Sequence, residues 1–500
     1  MSRCAPLPTH SKPSAGITAI SSIPLRRIMN KKRQTAKYVL CDILAALLAW
    51  ASLFFFRKLS IENNSFNDIN AVFADRNFWQ GIILVPMGWI GLYIIQGMYR
   101  DVYRKSRFKE LQQTVSASIL GVIVIFFVLL IDDDVVTYSN YYVSFLFLLV
   151  MHSAFTYLFR LIITTHTAKQ VHTRRLGFPT LLVGSHYKAY KTYLDMDSQE
   201  IYSGNQFVGY IMVNGTVNSQ LKNTMPCMGT LQDLPNVIRQ HHIEEVIIAV
   251  EDDEGSSLVD IIRLLIGCPG IIIKMTPELR DIILGSVNQT SIFHSPLITL
   301  NPRLMVEWQY SVKRIADVVI SLLAMIILSP VYLVIAILVK CSSPGPIFYA
   351  QERVGQYGKP FCMHKFRSMY VDAEKEGPKL SSDDDPRITP FGRFMRKVRL
   401  DEIPQFYNVF KGTMSLVGVR PERQYFIDKI VQHAPEYLLL QRIKPGITSW
   451  GQVKYGYAEN VDEMVERMRY DLLYMENMTL ATDVKILIYT VIIVFQGRGK

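Results

Sequence analysis

Residues 398–408 read VRLDEIPQFYN and set Asp401 beside Glu402, with Arg396, Lys397 and Arg399 just upstream. A second basic island, GVRPE at 418–422, contributes Arg420. Arginines around adjacent carboxylates keep both acids ionised. Across 345–369 and again across 387–421, Gly and Pro alternate with Arg and Lys. That composition suits loops and helix ends that wrap a phosphorylated ligand, since backbone N–H groups and guanidinium forks both bind phosphate oxygens. Taken alone, the acid pair also fits the first turn of a helix, where the helix dipole and nearby arginines stabilise it.

The elements that must position this pair begin in a membrane. The chain has 500 residues, 49% of them hydrophobic, and a net charge of +11. Its mean hydropathy is +0.17. This balance points to several domains with a membrane fraction and to anionic lipid or phosphate partners. No nucleic-acid-binding module is recognisable, so nucleic acid is not expected as a partner. The six cysteines are scattered and form no CxxC pair, which argues against a disulfide framework and against a thiolate zinc site. Four apolar runs, 38–56, 79–99, 114–131 and 141–163, each have the length of a bilayer-crossing helix, about 20 residues. Lys and Arg cluster before the first run, after the second and after the fourth, while Asp132, Asp133 and Asp134 follow the third. Both ends of a four-helix bundle over 38–165 are therefore expected in the cytoplasm, after a cytoplasmic tail over 1–37. Met29 offers a second translation start. Asp42 and Arg160 read as helix-end or interhelical groups.

Between 175 and 300 the text becomes that of a cytoplasmic, Rossmann-like parallel α/β domain. Strands are expected at 179–184, 207–213, 244–250 and 271–276, separated by helical stretches. The first strand–helix turn, VGSHYKA, offers only Gly184 where a dinucleotide fingerprint wants three glycines. A scaffold or subunit-contact role is the simpler reading of this domain. Residues 315–339 are long and apolar enough to span. Ser329-Pro330 interrupts them, and proline breaks the helix ladder. Lys313, Arg314 and Lys340 flank both ends, so a helix over about 313–340 should enter, bend and return on the same side. Asp383–Asp385 read as a solvated turn and His364 as a structural residue. The apolar tail at 484–495 reads as an interfacial helix.

Eight blocks in order carry a family resemblance: KRIAD, Ser329-Pro330, QERVG, KFRSM, RLDEIPQFYNVFKG, SLVGVRP, KPGITSWGQV and YDLLYMENMTLATDVKIL. From about 311 to 500 the chain resembles the bacterial sugar transferases, the monotopic phosphoglycosyl transferases, as a mainly α catalytic domain. With the bundle and α/β domain in front, the whole resembles the long form of the family. The resemblance implies transfer of a sugar 1-phosphate from a UDP-sugar to polyprenyl (undecaprenyl) phosphate with release of UMP. That is the first membrane step of exopolysaccharide, capsule or O-antigen repeat-unit synthesis. It implies Asp401 as nucleophile and covalent phosphosugar carrier, with Glu402 as its catalytic partner and either a Mg²⁺ ligand or a base. Arg396 and Arg420 would clamp phosphate, and Lys365 and Arg367 would bind nucleotide or lipid phosphate. It further implies Mg²⁺ as cofactor, membrane lipid as partner, and a bacterial inner membrane location with catalysis on the cytoplasmic face; the oligomeric state stays open, with a homodimer built through the bundle and the α/β domain as one arrangement. Two other readings compete: an NAD-dependent nucleotide-sugar enzyme using the α/β domain, and a non-catalytic membrane scaffold.

Overall fold

A computed structural model describes residues 30–58, 73, 75–132, 138–199, 202–213, 217–251, 258–268, 270–277, 297–300, 304–373, 385–456 and 458–496. Met1 and Met29, Asp383 and Asp384 lie outside the described residues. Four long apolar helices come first: α1 (Lys31–Phe56), α2 (Arg76–Ile95), α3 (Arg107–Asp132) and α4 (Tyr138–His172). All four are long and apolar enough to cross a membrane. Helix α1 packs on α2 and α4, and α4 packs on α3. Small residues allow close approach: a Cβ on Gly81 would fall 2.1 Å from the Trp50 ring. Tight packing of this kind holds helices together where lipid supplies no hydrophobic drive. Asp42 and Arg160 are neither at helix ends nor snorkelling. They meet in the bundle interior, fully buried, with two hydrogen bonds of 2.8 and 2.7 Å.

Helix α4 runs directly into the α/β domain. Its strands are β1 (Phe178–Val183), β2 (Asn205–Met212), β3 (Cys227–Thr230), β4 (Glu245–Ile248), β5 (Ile272–Met275) and β6 (Ile298–Leu300). They form one sheet in the order β3-β2-β1-β4-β5-β6. Helices α5 (Tyr187–Asp197), α6 (Ser219–Thr224), α7 (Leu234–Gln240) and α8 (Leu258–Ile266) connect them. The sheet differs from a purely parallel one, because β6 pairs antiparallel with β5. Separate apolar clusters, one with Leu181, Val246 and Ile261 and one with Leu182, Tyr210 and Ile247, cover the two faces. Strands buried on both faces read as continuous apolar runs, as β1 and β4 do.

The last third opens with α9 (Glu307–Ile327) and α10 (Ser329–Ser342), bent by 61° at the break between them. Ser329 donates to the Ile326 carbonyl at 2.8 Å and so satisfies one of the groups freed at the bend. Exposed apolar side chains on both limbs include Ile326, Ile327, Leu333, Val334 and Ile337. A hairpin of β7 (Phe348–Val354) and β8 (Pro360–Phe366) follows, then α11 (Pro390–Lys397), α12 (Gln405–Lys411) and β9 (Ser415–Val417). The chain ends with α13 (Gln424–His433), β10 (Gly446–Thr448), α14 (Trp450–Lys454), α15 (Val461–Glu476) and α16 (Leu480–Phe495). Strands β9 and β10 pair in parallel. Met414, Val409, Ile430 and Met475 centre this domain's core.

Candidate active site

Asp401 and Glu402 sit on a single 3₁₀ turn, Leu400–Glu402, between α11 and α12. They are therefore not in the first turn of a regular α-helix. Arg399 opens the turn in the left-handed region, at φ 56°. A non-glycine residue there stores strain that the surrounding structure must hold. The turn is held from below. Leu400 and Ile403 pack on a cluster of Ile335, Val339, Phe366 and Met395, and Tyr332 donates to the Ile403 carbonyl at 2.8 Å. Tyr332, Ile335 and Val339 belong to α10, so the apolar bent hairpin sets the position of the acid pair directly.

The sides of the site come from α11 and β8. Thr389 caps α11 by accepting the Gly392 amide at 3.0 Å. Gly392 has to be glycine, because a Cβ would stand 2.0 Å from the Ser368 carbonyl oxygen. This close approach lets Arg396 donate to the Ser368 hydroxyl at 3.0 Å. Strand β8 carries Lys365, and Asn408 of α12 braces that strand. Asn408 accepts the His364 amide at 3.0 Å and donates to the Cys362 carbonyl at 2.8 Å.

Both acids are 6% exposed, yet their surroundings differ. Glu402 faces three cations: Lys365 at 3.1 Å, Arg399 at 3.7 Å and Arg420 at 3.8 Å. Burial alone would raise its pKa, but these three charges overcome burial and hold Glu402 well below the usual carboxylate range. Asp401 forms no ion pair within 4 Å and receives no side-chain hydrogen bond among the described residues. Burial and the neighbouring Glu402 charge push its pKa up to about 6, against the pull of Lys365 and Arg396. Lys365 is itself shifted down, by burial first. The arrangement is one fixed anion beside one buried, unpaired carboxylate, with cations on several sides. Mg²⁺ is commonly held by one or two protein carboxylates plus phosphates and waters, and Glu402 is the carboxylate such an ion could use here. No group of three or more His, Cys, Asp or Glu poised for a metal exists among the described residues, so a metal here would depend on the ligand's oxygens.

Four of the five predicted basic and acidic partners converge with Asp401: Glu402, Lys365, Arg396 and Arg420. Arg367 does not join them. It is buried and donates to the carbonyls of Val339 (3.4 Å), Ser343 (2.6 Å) and Pro344 (2.7 Å). It caps the end of α10 and is a brace, because β8 ends at Phe366 and the chain turns beneath the helix. Asp385 is also unlike the expected solvated turn, since it is 3% exposed and accepts from the Arg387 amide at 3.0 Å and its guanidinium at 2.6 Å. Sequence reasoning placed Arg399 just upstream of the pair without giving it a role, and did not single out Asn408. Glu422 of the GVRPE island is buried and pairs with Arg467 at 2.7 Å and Arg353 at 3.3 Å, which makes it a core anion.

In the α/β domain, the anion seat at the α5 N-terminus is taken by the protein itself. Glu251 accepts the Lys188 amide at 2.7 Å. Gly184 serves strand packing, since a Cβ would lie 2.3 Å from the Ala249 carbonyl oxygen. The domain is fastened to the bundle: the Arg104 guanidinium lies 3.7 Å from the Phe178 ring centre and bonds Glu245 at 2.5 Å.

With this geometry in hand, comparison with known proteins is informative. The family profile described as bacterial sugar transferase matches residues 308–497, and one described as a CoA-binding domain matches residues 95–267. A UDP-N-acetylgalactosamine-undecaprenyl-phosphate N-acetylgalactosaminephosphotransferase of Aeromonas hydrophila is 39% identical over 188 residues, 38% of this chain and 44% of that protein. A UDP-glucose:undecaprenyl-phosphate glucose-1-phosphate transferase of Xanthomonas campestris is 33% identical over 306 residues, 59% of this chain and 62% of that protein. An uncharacterized sugar transferase of Haemophilus influenzae is 31% identical over 339 residues, 64% of this chain and 69% of that protein. The matches to the first two span less than two thirds of each relative's length.

Proposed function

The chain belongs to the bacterial sugar transferase family, and from that premise we propose that it transfers a sugar 1-phosphate from a UDP-sugar to undecaprenyl phosphate. The observation that carries the reading is the asymmetry of the acid pair. Glu402 is locked as an anion by Lys365, Arg399 and Arg420, while Asp401 is buried and forms no ion pair within 4 Å among the described residues. A carboxylate relieved of partners keeps its lone pairs for attack, and a carboxylate nucleophile forms a reactive acyl phosphate.

In the proposed sequence an oxygen of Asp401 attacks the β-phosphorus of the UDP-sugar. The bond to the bridging oxygen breaks, UMP leaves, and the phosphosugar stays on Asp401. A phosphate oxygen of undecaprenyl phosphate then attacks the same phosphorus, forms the diphosphate and returns Asp401 to a carboxylate. Both steps build negative charge, which Lys365, Arg396 and Arg420 offset electrostatically. A base must bind a proton near working pH, and the depressed pKa of Glu402 makes it an anchor or Mg²⁺ ligand. Glu402 and the diphosphate oxygens would hold Mg²⁺, which would neutralise phosphate charge.

The bent α9–α10 pair is proposed as a re-entrant hairpin, entering and leaving on the cytoplasmic face of the bacterial inner membrane. It sets the acid pair at headgroup level, where the acceptor phosphate stands while its tail remains in lipid. The α/β domain, with the phosphate seat of α5 taken by Glu251, acts as a Rossmann-like scaffold and a surface for a homodimer. The reaction fits the initiation of exopolysaccharide, capsule or O-antigen repeat units. UMP release from a panel of UDP-sugars by nanodisc-embedded protein, with Mg²⁺ and undecaprenyl phosphate, tests the proposal. One sugar should give lipid-dependent UMP. If no UDP-sugar does so with folded protein, the proposal is wrong.

A further inference from the structure

A cavity of about 320 Å³ lies where the membrane bundle, the base of α9 and the β9–β10 pair meet. Neither Asp401 nor Glu402 lines it. Five cations do: Arg100, Lys313, Arg314, Arg442 and Lys444. Two acids, Glu307 and Asp317, also face it. The pairing inside this group is uneven. Arg100 pairs with Glu307. Lys313 bonds Asp483 at 2.5 Å. Asp317 accepts from the Ser415 hydroxyl at 2.8 Å and the Leu416 amide at 3.0 Å. Arg314 donates to the carbonyls of Val409 at 2.7 Å and Phe410 at 2.9 Å and forms no ion pair within 4 Å among the described residues. The half-buried Lys444 ammonium makes no hydrogen bond or ion pair among the described residues. Burial, then Arg314 and Lys313, pull Lys444 below the usual lysine range, with Asp317 opposing.

Like charges converging on an open, partly desolvated space call for an anion. The remaining lining chooses among anions. Leu304, Met305, Val417, Ile443 and Met478 are apolar, so part of the occupant is carbon. The volume is that of a small-ligand pocket. Its level is also informative. Arg100 follows the end of α2, and Lys313-Arg314 precede the apolar stretch of α9, which is where lipid headgroups lie.

We propose that this cavity is a second phosphate site, with Lys444 and Arg314 as its receiving cations, for a phosphate ester that is either an anionic lipid headgroup or a free phosphate. The site stands whether or not Asp401 is the nucleophile. Its wall is shared with the acid-pair region: Ser415 and Val417 line the cavity, Lys313 donates to the Val417 carbonyl at 2.9 Å, and three residues on Arg420 faces Glu402.

The test uses the full chain in phosphatidylcholine nanodiscs and an amine-reactive succinimidyl ester, with labelling at Lys444 and at exposed Lys454 read by peptide mass spectrometry. Adding phosphatidylglycerol to the disc, or inorganic phosphate to the buffer, should cut Lys444 labelling about tenfold, as a charge-assisted contact predicts, and leave Lys454 unchanged. Protection by phosphatidylglycerol alone assigns the site to a lipid headgroup. Protection by inorganic phosphate in pure phosphatidylcholine assigns it to a free phosphate. Native mass spectrometry adds a second reading: retention of the protecting ligand should fall in Lys444→Gln and return in Lys444→Arg. No protection by either probe overturns the proposal, and so does equal protection by sodium chloride at matched ionic strength, since that is screening alone.

Discussion

Among the buried clusters of acids and cations in the described residues, two are built on opposite plans: one in the membrane bundle and one at the acid pair. In the bundle, Asp42 takes two hydrogen bonds from Arg160 and one of 2.8 Å from Tyr99. Glu110 takes Lys105 at 3.0 Å and Arg160 at 3.3 Å. Two acids meet two cations and the network is closed. Around Leu400–Glu402, three cations converge on Glu402, while Asp401 in the same buried turn forms no ion pair among the described residues. Closed pairing fixes helices and leaves no charge to react with. An unpaired carboxylate in a field of nearby cations is costly to bury but keeps its reactivity, which is how sites with perturbed pKa values announce function.

The largest expected effect separates the clusters by activity. Asp401→Asn should lower turnover on the order of 10⁴-fold or more, as loss of a nucleophile does. Asp42→Asn should leave turnover of the folded protein nearly unchanged. A UMP-release assay on both variants checks this, and similar losses would erase the distinction.

Stability should divide the clusters the other way. Arg160→Ala strands Asp42 in the bundle and should cost about 3–5 kcal/mol, read by unfolding in nanodiscs. The paired change Asp42→Leu with Arg160→Met should recover most of that loss. Asp401→Asn should instead stabilise the protein at pH 8. The sign follows from a raised folded pKa: the carboxylate is disfavoured in the folded state, so stability falls as pH climbs from the unfolded value toward about 6 and stays lower above it. A rise of this size corresponds to roughly 3 kcal/mol at most. If Asp401→Asn melts at a lower temperature than the parent at pH 8, Asp401 is a paired structural acid after all.

The same shift sets a pH profile. Attack requires the carboxylate, so kcat/KM should rise through about pH 6 and level off above it. Glu402 stays ionised across that window and should add no second limb. A flat profile from pH 5 upward would deny Asp401 its unpaired state.

The smallest contrast lies between two arginines. Arg420→Ala should raise the KM for the UDP-sugar or lower kcat. Arg367→Ala should cost about 1–3 kcal/mol of stability, because three carbonyls at the α10 end lose a buried donor, and should leave KM alone. Parallel kinetics and melting curves decide between them.

These contrasts also show what a sequence conveys. The four spans were legible because lipid demands about 20 apolar residues in a row. Strands β1, β2, β4 and β5 were legible as apolar runs. Strand β3, CMGT with both ends exposed, and the three-residue β6 carry no such run. The acid pair and its block were legible, and so was the break at Ser329-Pro330, because proline acts locally. Arg367 lies two residues beyond Lys365, a spacing that shares a face in a strand, but the strand ends between them, and in the fold Arg367 is engaged by the carbonyls at the α10 end. The part played by Arg399 depends on a left-handed backbone, and that of Asn408 on the packing of α12 against β8. Neither is written in local residue order. The Asp42–Arg160 pair spans 118 residues, and only the folded bundle brings it together.

The most direct test of the central claim is peptide mass spectrometry of the nanodisc-embedded protein after incubation with the UDP-sugar that supports UMP release, with no acceptor lipid present. The account predicts a phosphosugar on the peptide containing Asp401, lost on adding undecaprenyl phosphate and missing from Asp401→Asn. Full lipid-dependent turnover with no adduct on that peptide, or an Asp401→Asn protein that still turns over, would contradict it.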